Sequence, residues 1–203
     1  SSSLALEAEG SVLAVRSTTG ECLTYPMVKT MQVDGMCREV TCPSDFSDEV
    51  TEEARKIAEN LANELEVVGI LAVEFFIVGG KLLVNELAPR PHNTGHTTIE
   101  ANMTSQFENH LRAILGLPLG STELRVPAAA MVNLISNSNS QNVIPYLPLA
   151  LSVKKASLHL YSKTPRKNRK IGHVTATANS VAEALELARK TVDILSGLDI
   201  SEG

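Results

Sequence analysis

Two apolar, β-prone runs, LAVEFFIV and KLLVNELA, meet at Gly79-Gly80, a pattern that fits an antiparallel hairpin better than any helix. We expect the hairpin to be buried. Each arm carries one acid, Glu74 and Glu86, and the turn decides how they relate. A two-residue loop of Gly79-Gly80 pairs Val78 with Lys81 and sets Glu86 opposite Val73, on the other face from Glu74. A three-residue loop that includes Lys81 pairs Val78 with Leu82 and brings Glu74 and Glu86 directly across from each other.

In the second register two carboxylates repel on a largely apolar face, an arrangement that makes sense only around a positive charge. Mg²⁺ fits best, because it takes one or two protein carboxylates and completes its shell with water and substrate phosphate. Asn85 offers a further oxygen ligand beside Glu86. The competing reading is that both are ordinary strand-end acids that bind nothing.

Charge and composition narrow the partners. The 203-residue chain has a formal net charge of −5, no Trp and 3% aromatic residues, which argues against a nucleic-acid binder needing a basic footprint and stacking rings. No apolar run reaches membrane-spanning length and no secretory leader is visible, so a cytoplasmic protein acting on small molecules is expected. Cys22, Cys37 and Cys42 lack a C-x-x-C pair and read as reduced thiols without a structural role. The chain has neither G-x-x-x-x-G-K-[ST] nor G-x-G-x-x-G, so much of any phosphate cradle must come from outside it.

Periodicity gives an α+β protein. Three short strands are expected between Gly10 and Cys42, then a helix from about Val50 to Leu65 opened by Ser47, then the glutamate hairpin. A helix near Thr104 to Leu115 carries Phe107, Leu111, Ile114 and Leu115. Beyond the linker GLPLGSTELRVPAA come strands AAMVNLIS, SLHLYSK and IGHVTATA, and a closing helix with a Ser180 to Glu183 capping box. The division falls near residue 120: residues 1–120 form a mainly antiparallel sheet with packed helices, and 121–203 a small β-rich domain with its closing helix.

Two polar segments are candidate site walls. PRPHNTGH, directly after the Glu86 strand, presents Arg90, His92, Asn93, Thr94 and His96 on a backbone restricted by two prolines and opened by a glycine. Zinc at His92 and His96 is discounted, because i, i+4 imidazoles align only on a helix, which the prolines and glycine disfavour; a hydrogen-bonded surface loop is the competing reading. In KTPRKNRK, Lys163, Arg166, Lys167, Arg169 and Lys170 crowd one turn, which suits a phosphomonoester if it is more than a solvated basic turn.

The residues VEFF, LLVNELAPRPHNTGHTTIEANMTSQFENHLRAILGLPLG, YPMV and YSK…RKIGH together resemble the ATP-grasp family. The likeness is specific to its N5-carboxyaminoimidazole ribonucleotide synthetase branch, whose hallmark is NE-[IL]-APR-x-HNSGH-x-T followed by a TSQFE-type helix. The resemblance implies an ATP-grasp C-terminal subdomain followed by the small β-rich domain. It also implies ATP- and Mg²⁺-dependent carboxylation of 5-aminoimidazole ribonucleotide with bicarbonate through carboxyphosphate, in a homodimer. On this resemblance Glu74 and Glu86 are the metal ligands, while Glu9, Gln32, Asn85 and Glu86 border the nucleotide. Arg90 and Asn93 act at the reacting centre with Lys163, His92 and His96 line the substrate, and Lys163, Arg169 and Lys170 hold the ribonucleotide phosphate.

The sequence departs from the pattern at Thr94, where Ser is usual, at Gly10, where Leu is usual, and at Lys167-Asn168, where the turn usually has Pro-Gly. It also lacks the N-terminal domain and lid subdomain of such enzymes, so the chain alone is expected to be inactive. The alternatives are another ATP-grasp ligase, such as a formate-dependent purine transformylase, or a non-catalytic binding or dimerisation module.

Overall fold

The structure, a computed structural model, describes residues 6–198. In chain order the elements are β1 (Leu6–Arg16), β2 (Cys22–Thr24), β3 (Val28–Val33), β4 (Met36–Cys42), α1 (Asp48–Glu64), β5 (Gly69–Val78) and β6 (Lys81–Ala88). Then come α2 (Thr98–Ala101), α3 (Gln106–Ile114), β7 (Ala128–Ile135), α4 (Leu147–Leu151), β8 (Ala156–Leu160), β9 (Lys170–Ala178) and α5 (Val181–Leu195). The expected α+β class stands. The segment read as three strands holds four, because Tyr25 to Met27 break the second run.

All the strands join one antiparallel nine-stranded sheet in the order β6-β5-β1-β3-β4-β7-β9-β8, with β2 alongside β1. The β4–β7 pairing, Glu39 to Val132 through Cys42 to Ala129, carries the sheet without a break across the division expected near residue 120. Side chains alternate between faces along each strand, so the registers assign the two faces. Val12, Leu71, Val73 and Phe75 pack under α1, whose buried stripe is Ala54, Ala58 and Ala62; small residues let that helix sit close to the sheet. On the same face Val132, Val174 and Ala176 pack under α5. The opposite face carries Leu13, Val15, Ile70 and Ala72 under α3, and beside them the polar residues that matter below.

Local signals place these elements. Ser47, Ser105 and Ser180 accept hydrogen bonds from the backbones of Val50, Glu108 and Glu183, opening α1, α3 and α5. The Glu183 carboxylate reaches back to the Asn179 N–H rather than to that of Ser180. Gly10 stands where a side chain would run into Met27, Phe46 and the Val28 carbonyl, which explains the missing Leu at that point.

One expectation is corrected. Only half of the hairpin is buried: β5 lies in the core, but β6 is the sheet's edge, with Leu83, Val84 and Leu87 exposed, because no described residues pair with its outer side. The apolar residues Phe107, Leu111, Ile114 and Leu115 at α3 are exposed, an outcome on which the sequence made no expectation, while Gln106, Asn109 and Ala113 turn inward. Among the described residues no helix is long and apolar enough to cross a membrane.

Candidate active site

The hairpin combines the turn of the first register with the glutamate pairing of the second. The turn is the two-residue Gly79-Gly80 loop, both glycines at positive φ (58° and 70°), and Val78 pairs with Lys81. Pairing then runs to Phe75 opposite Val84, after which Asn85 is extruded as a β-bulge and Glu74 comes to lie opposite Glu86. One extra residue moves Glu86 from one face of the sheet to the other.

Glu74 is also paired with Ser11 of β1, and Glu9 lies two residues before it, so Glu9, Ser11, Glu74 and Glu86 share a face. Burial raises the Glu74 carboxyl above the usual carboxylate range; Glu86 and Glu9 add to this, and Lys170 opposes it. Burial does the same to Glu9. Three acids on one face, only partly offset by Lys170, are an electrostatic cost that a hard divalent ion would reduce. Among the described residues no cluster of three or more His, Cys, Asp or Glu is placed to hold a metal by itself. The Glu74–Glu86 pair supplies the one or two carboxylates that Mg²⁺ takes from a protein, with phosphate and water for the rest.

The loop after β6 is pinned onto this face from several sides. Thr94 Oγ1 lies 2.9 Å from Ser11 Oγ and 2.9 Å from His92 Nδ1. The Thr that replaces the usual Ser keeps the hydroxyl in use. Gln106, fully buried at the start of α3, clamps the loop: its Oε1 accepts from His92 N at 2.8 Å, and its Nε2 donates to His92 O at 2.8 Å and lies 3.1 Å from His96 Nδ1. A side chain at Gly95 would collide with Leu13 and Gln106, so only glycine lets the loop sit this close. Asn93 and Asn133 of β7 exchange amide hydrogen bonds of 2.9 and 2.8 Å, and Lys170 Nζ donates to Asn93 Oδ1 at 3.5 Å.

These contacts enclose a small polar cavity of about 260 Å³ lined by Gln32, Gly35, Met36, Cys37, Glu74, Arg90, His92, Asn93 and Lys170. Six of the residues singled out in the sequence thus meet in one place: Gln32, Glu74, Arg90, His92, Asn93 and Lys170. Cys37, read as a reduced thiol without a structural role, forms part of the wall; burial pushes its thiol up to about 11, so it is neutral there. His92 is held neutral, pushed down to about 4 by burial and then by Arg90.

Other candidates lie outside this cavity. Asn85 and Glu86 are exposed on the edge strand, next to where the described chain stops covering the sheet. Glu9 lines a larger groove of about 830 Å³ together with Lys29, Glu39 and Arg189. His96 turns away from the cavity, stacked on His173 (centroids 4.7 Å apart) and Phe107 (5.8 Å). In the basic turn Lys163 lies over the Tyr161 ring at 5.2 Å, and Arg169 donates to the Thr164 carbonyl at 3.1 Å. Among the described residues none of Lys163, Arg166, Lys167, Arg169 and Lys170 makes an ion pair. Asn168, where Gly is usual, adopts a left-handed φ of 65°, and the turn is tied by Asn168 N to Ser136 O at 2.9 Å.

With this geometry in view, comparison with known proteins is decisive. The ATP-grasp domain model matches residues 2–107, more than half of the chain. The chain belongs to the ATP-grasp family. A second model, the phosphoribosylaminoimidazole carboxylase C-terminal domain, matches residues 129–187. Among curated relatives, the N5-carboxyaminoimidazole ribonucleotide synthase of Mycobacterium bovis is 41% identical over 204 residues, covering 94% of this chain and 46% of that protein. The crystal structure of N5-carboxyaminoimidazole ribonucleotide synthetase from Thermus thermophilus superposes with a TM-score of 0.82 at 42% identity, over 99% of this chain and 53% of that one. The Aspergillus clavatus enzyme, solved with ADP and 5-aminoimidazole ribonucleotide, gives 0.82 at 34% identity over 95% and 52%. The chain spans about half the length of the relatives it matches.

The sequence reading missed Ser11, Asn133, Gln106, Tyr161 and His173. Asn133 did leave a trace, as the lone polar residue inside the apolar strand AAAMVNLI.

Proposed function

We propose that the protein carrying this chain is an ATP-grasp ligase that uses ATP to join bicarbonate to the exocyclic amine of 5-aminoimidazole ribonucleotide, giving N5-carboxyaminoimidazole ribonucleotide, ADP and phosphate. The observation that carries this reading is the Glu74–Glu86 pair, brought to one face by the Asn85 bulge and set beside a cavity walled by Arg90, His92, Asn93 and Lys170.

In this reading a bicarbonate oxygen takes the γ-phosphoryl group of ATP, ADP leaves, and the amine then attacks the activated carbon as phosphate departs. Mg²⁺, held by Glu74 and Glu86, would supply charge neutralisation for the polyphosphate. The chain's own residues position and stabilise. Asn85, Glu9 and Gln32 border the nucleotide; Arg90 supplies a planar cation for developing negative charge. Asn93, fixed by Asn133, presents its amide to the carboxylating centre, and neutral His92 can accept or donate a hydrogen bond without adding charge. His96 backs this wall. Lys163, Arg169 and Lys170 form the cationic rim that receives the ribonucleotide phosphate, with Lys163 reaching from it toward the reacting groups. The reading includes a cytoplasmic homodimer whose partners are small molecules.

The test is an ATPase assay on the full-length protein. ADP release is expected only when 5-aminoimidazole ribonucleotide and bicarbonate are both present. ADP release driven by formate in place of bicarbonate would point instead to a transformylase, and release independent of the ribonucleotide would overturn the proposal.

A further inference from the structure

We propose that His173 is a positioning residue for the ribonucleotide: its hydrogen bond to Tyr161 and its stack on His96 hold Lys163 and the 89–96 loop in one relative placement. The inference rests on the function proposed above and adds residues that it does not use.

The rings form a column. His173, 2% exposed in the middle of β9, is stacked between His96 (4.7 Å, interplanar 23°) and His159 of β8 (4.4 Å, 14°). At one end His96 is fixed by Gln106, which also holds His92; at the other, His159 Nε2 lies 2.6 Å from Glu100 Oε1 of α2. From the centre of the column His173 Nδ1 meets Tyr161 Oη at 2.6 Å. Tyr161 follows β8 and its backbone N–H donates to the Ile171 carbonyl at 2.9 Å. Ser162 then takes a left-handed φ of 48°, folding the chain back so that Lys163 Nζ sits 5.2 Å above the Tyr161 ring. A continuous set of contacts therefore runs from His92 and His96 through His173 and Tyr161 to Lys163.

Packing alone does not call for a histidine here. On its own face of β9 the buried neighbour is Thr175 and the β7 partner is Asn133, while Val174 and Ala176 face α5; an uncharged side chain without an imidazole would fill the place at less desolvation cost. His173 Nε2 is buried with no hydrogen-bond partner among the described residues, so the ring is retained at a cost and for what Nδ1 does.

The test uses the full-length protein and steady-state ADP release. Removing the Tyr161 hydroxyl by Tyr161→Phe is expected to raise KM for the ribonucleotide about tenfold, the scale of one lost hydrogen bond, with KM for ATP and kcat each within about threefold. His173→Asn, whose amide can stand near Nδ1, recovers most of that affinity, whereas His173→Gln, whose amide reaches toward Nε2, does not. In a Lys163→Met background Tyr161→Phe adds less than about twofold, because the route through Lys163 is already cut. A purely structural role lowers melting temperature and active fraction but leaves KM for the ribonucleotide unmoved, and that result in Tyr161→Phe overturns the inference. So does a full multiplicative effect in the double variant. Should the His173 variants fail to fold, the Tyr161 and Lys163 cycle decides alone. Wild-type protein that shows no ribonucleotide-dependent ADP release defeats the proposed function and this inference together; an active Tyr161→Phe enzyme with unchanged KM defeats only the inference.

Discussion

Asn93 and Asn133 clasp each other through two amide hydrogen bonds, 2.9 and 2.8 Å long, across the seam between the loop after β6 and strand β7. Asn133 Nδ2 also donates to the Cys37 carbonyl at 2.9 Å. The contact joins the part of the chain matched by the ATP-grasp domain to the part matched by the second domain, and it fixes a proposed reacting-centre amide from behind. Asn133→Leu strands the Asn93 amide and the Cys37 carbonyl, so a loss of about 2–3 kcal/mol is expected on urea unfolding. A loss below about 0.5 kcal/mol would show that the clasp contributes little.

Glu74 titrates above its unfolded value, so the folded protein takes up a proton there more readily than the unfolded chain. Stability from this group therefore rises as pH falls through the folded value, and the relief is complete below the unfolded one. Glu74→Gln removes the penalty at neutral pH. Without metal it is expected to stabilise the protein at pH 7 by about 1 kcal/mol or less, with the gain fading toward pH 4. Thermal melts in chelator at both pH values check this, and a destabilised variant at pH 7 would contradict it.

The histidines act in the opposite sense. His92 and His96 are pushed down to about 4 and His173 to about 2, in each case chiefly by burial. Below the ordinary histidine range the unfolded chain binds protons that the folded state refuses. Their contribution is complete above about pH 6.5 and is lost as pH falls toward 4, at about 1.4 kcal/mol per pH unit for each group. Replacing His173 by Asn should flatten the pH dependence of urea unfolding between pH 6.5 and 4; an unchanged slope would count against a neutral buried imidazole.

Asn168 keeps the basic turn in the shape a glycine would give it. Asn168→Gly is expected to be neutral or mildly stabilising, and Asn168→Val to cost about 1–2 kcal/mol, because a β-branched side chain is strained at φ 65°. Equal melting temperatures for the two variants would show that the turn relaxes freely.

Much of this could be read from residues in order. The caps at Ser47 and Ser180, the glycine turn and the apolar stripe of α1 are local signals, and local physics decided them. The two glutamates and the PRPHNTGH loop were visible because charged and hydrogen-bonding side chains interrupt or follow apolar strands. What could not be read depended on distant partners. The Asn85 bulge has no local signature: Asn85 looks like any strand residue, and only the pairing of both arms shows that it is extra. The exposure of the apolar residues at α3 is unreadable for a related reason, since their pattern does not say what covers them. The column of His96, His173 and His159 joins residues on the post-β6 loop and two strands far apart in the chain, so no spacing rule could assemble it.

The account's central claim is that Glu74 and Glu86 act together on one divalent ion. The most direct measurement is calorimetric titration of the full-length protein with Mn²⁺ in the presence of a non-hydrolysable ATP analogue, comparing wild type with Glu74→Gln and Glu86→Gln. Each single variant is expected to weaken ion binding at least about tenfold, with the double variant little worse than either, as for two ligands of one ion. Wild-type affinity in either single variant would contradict the claim.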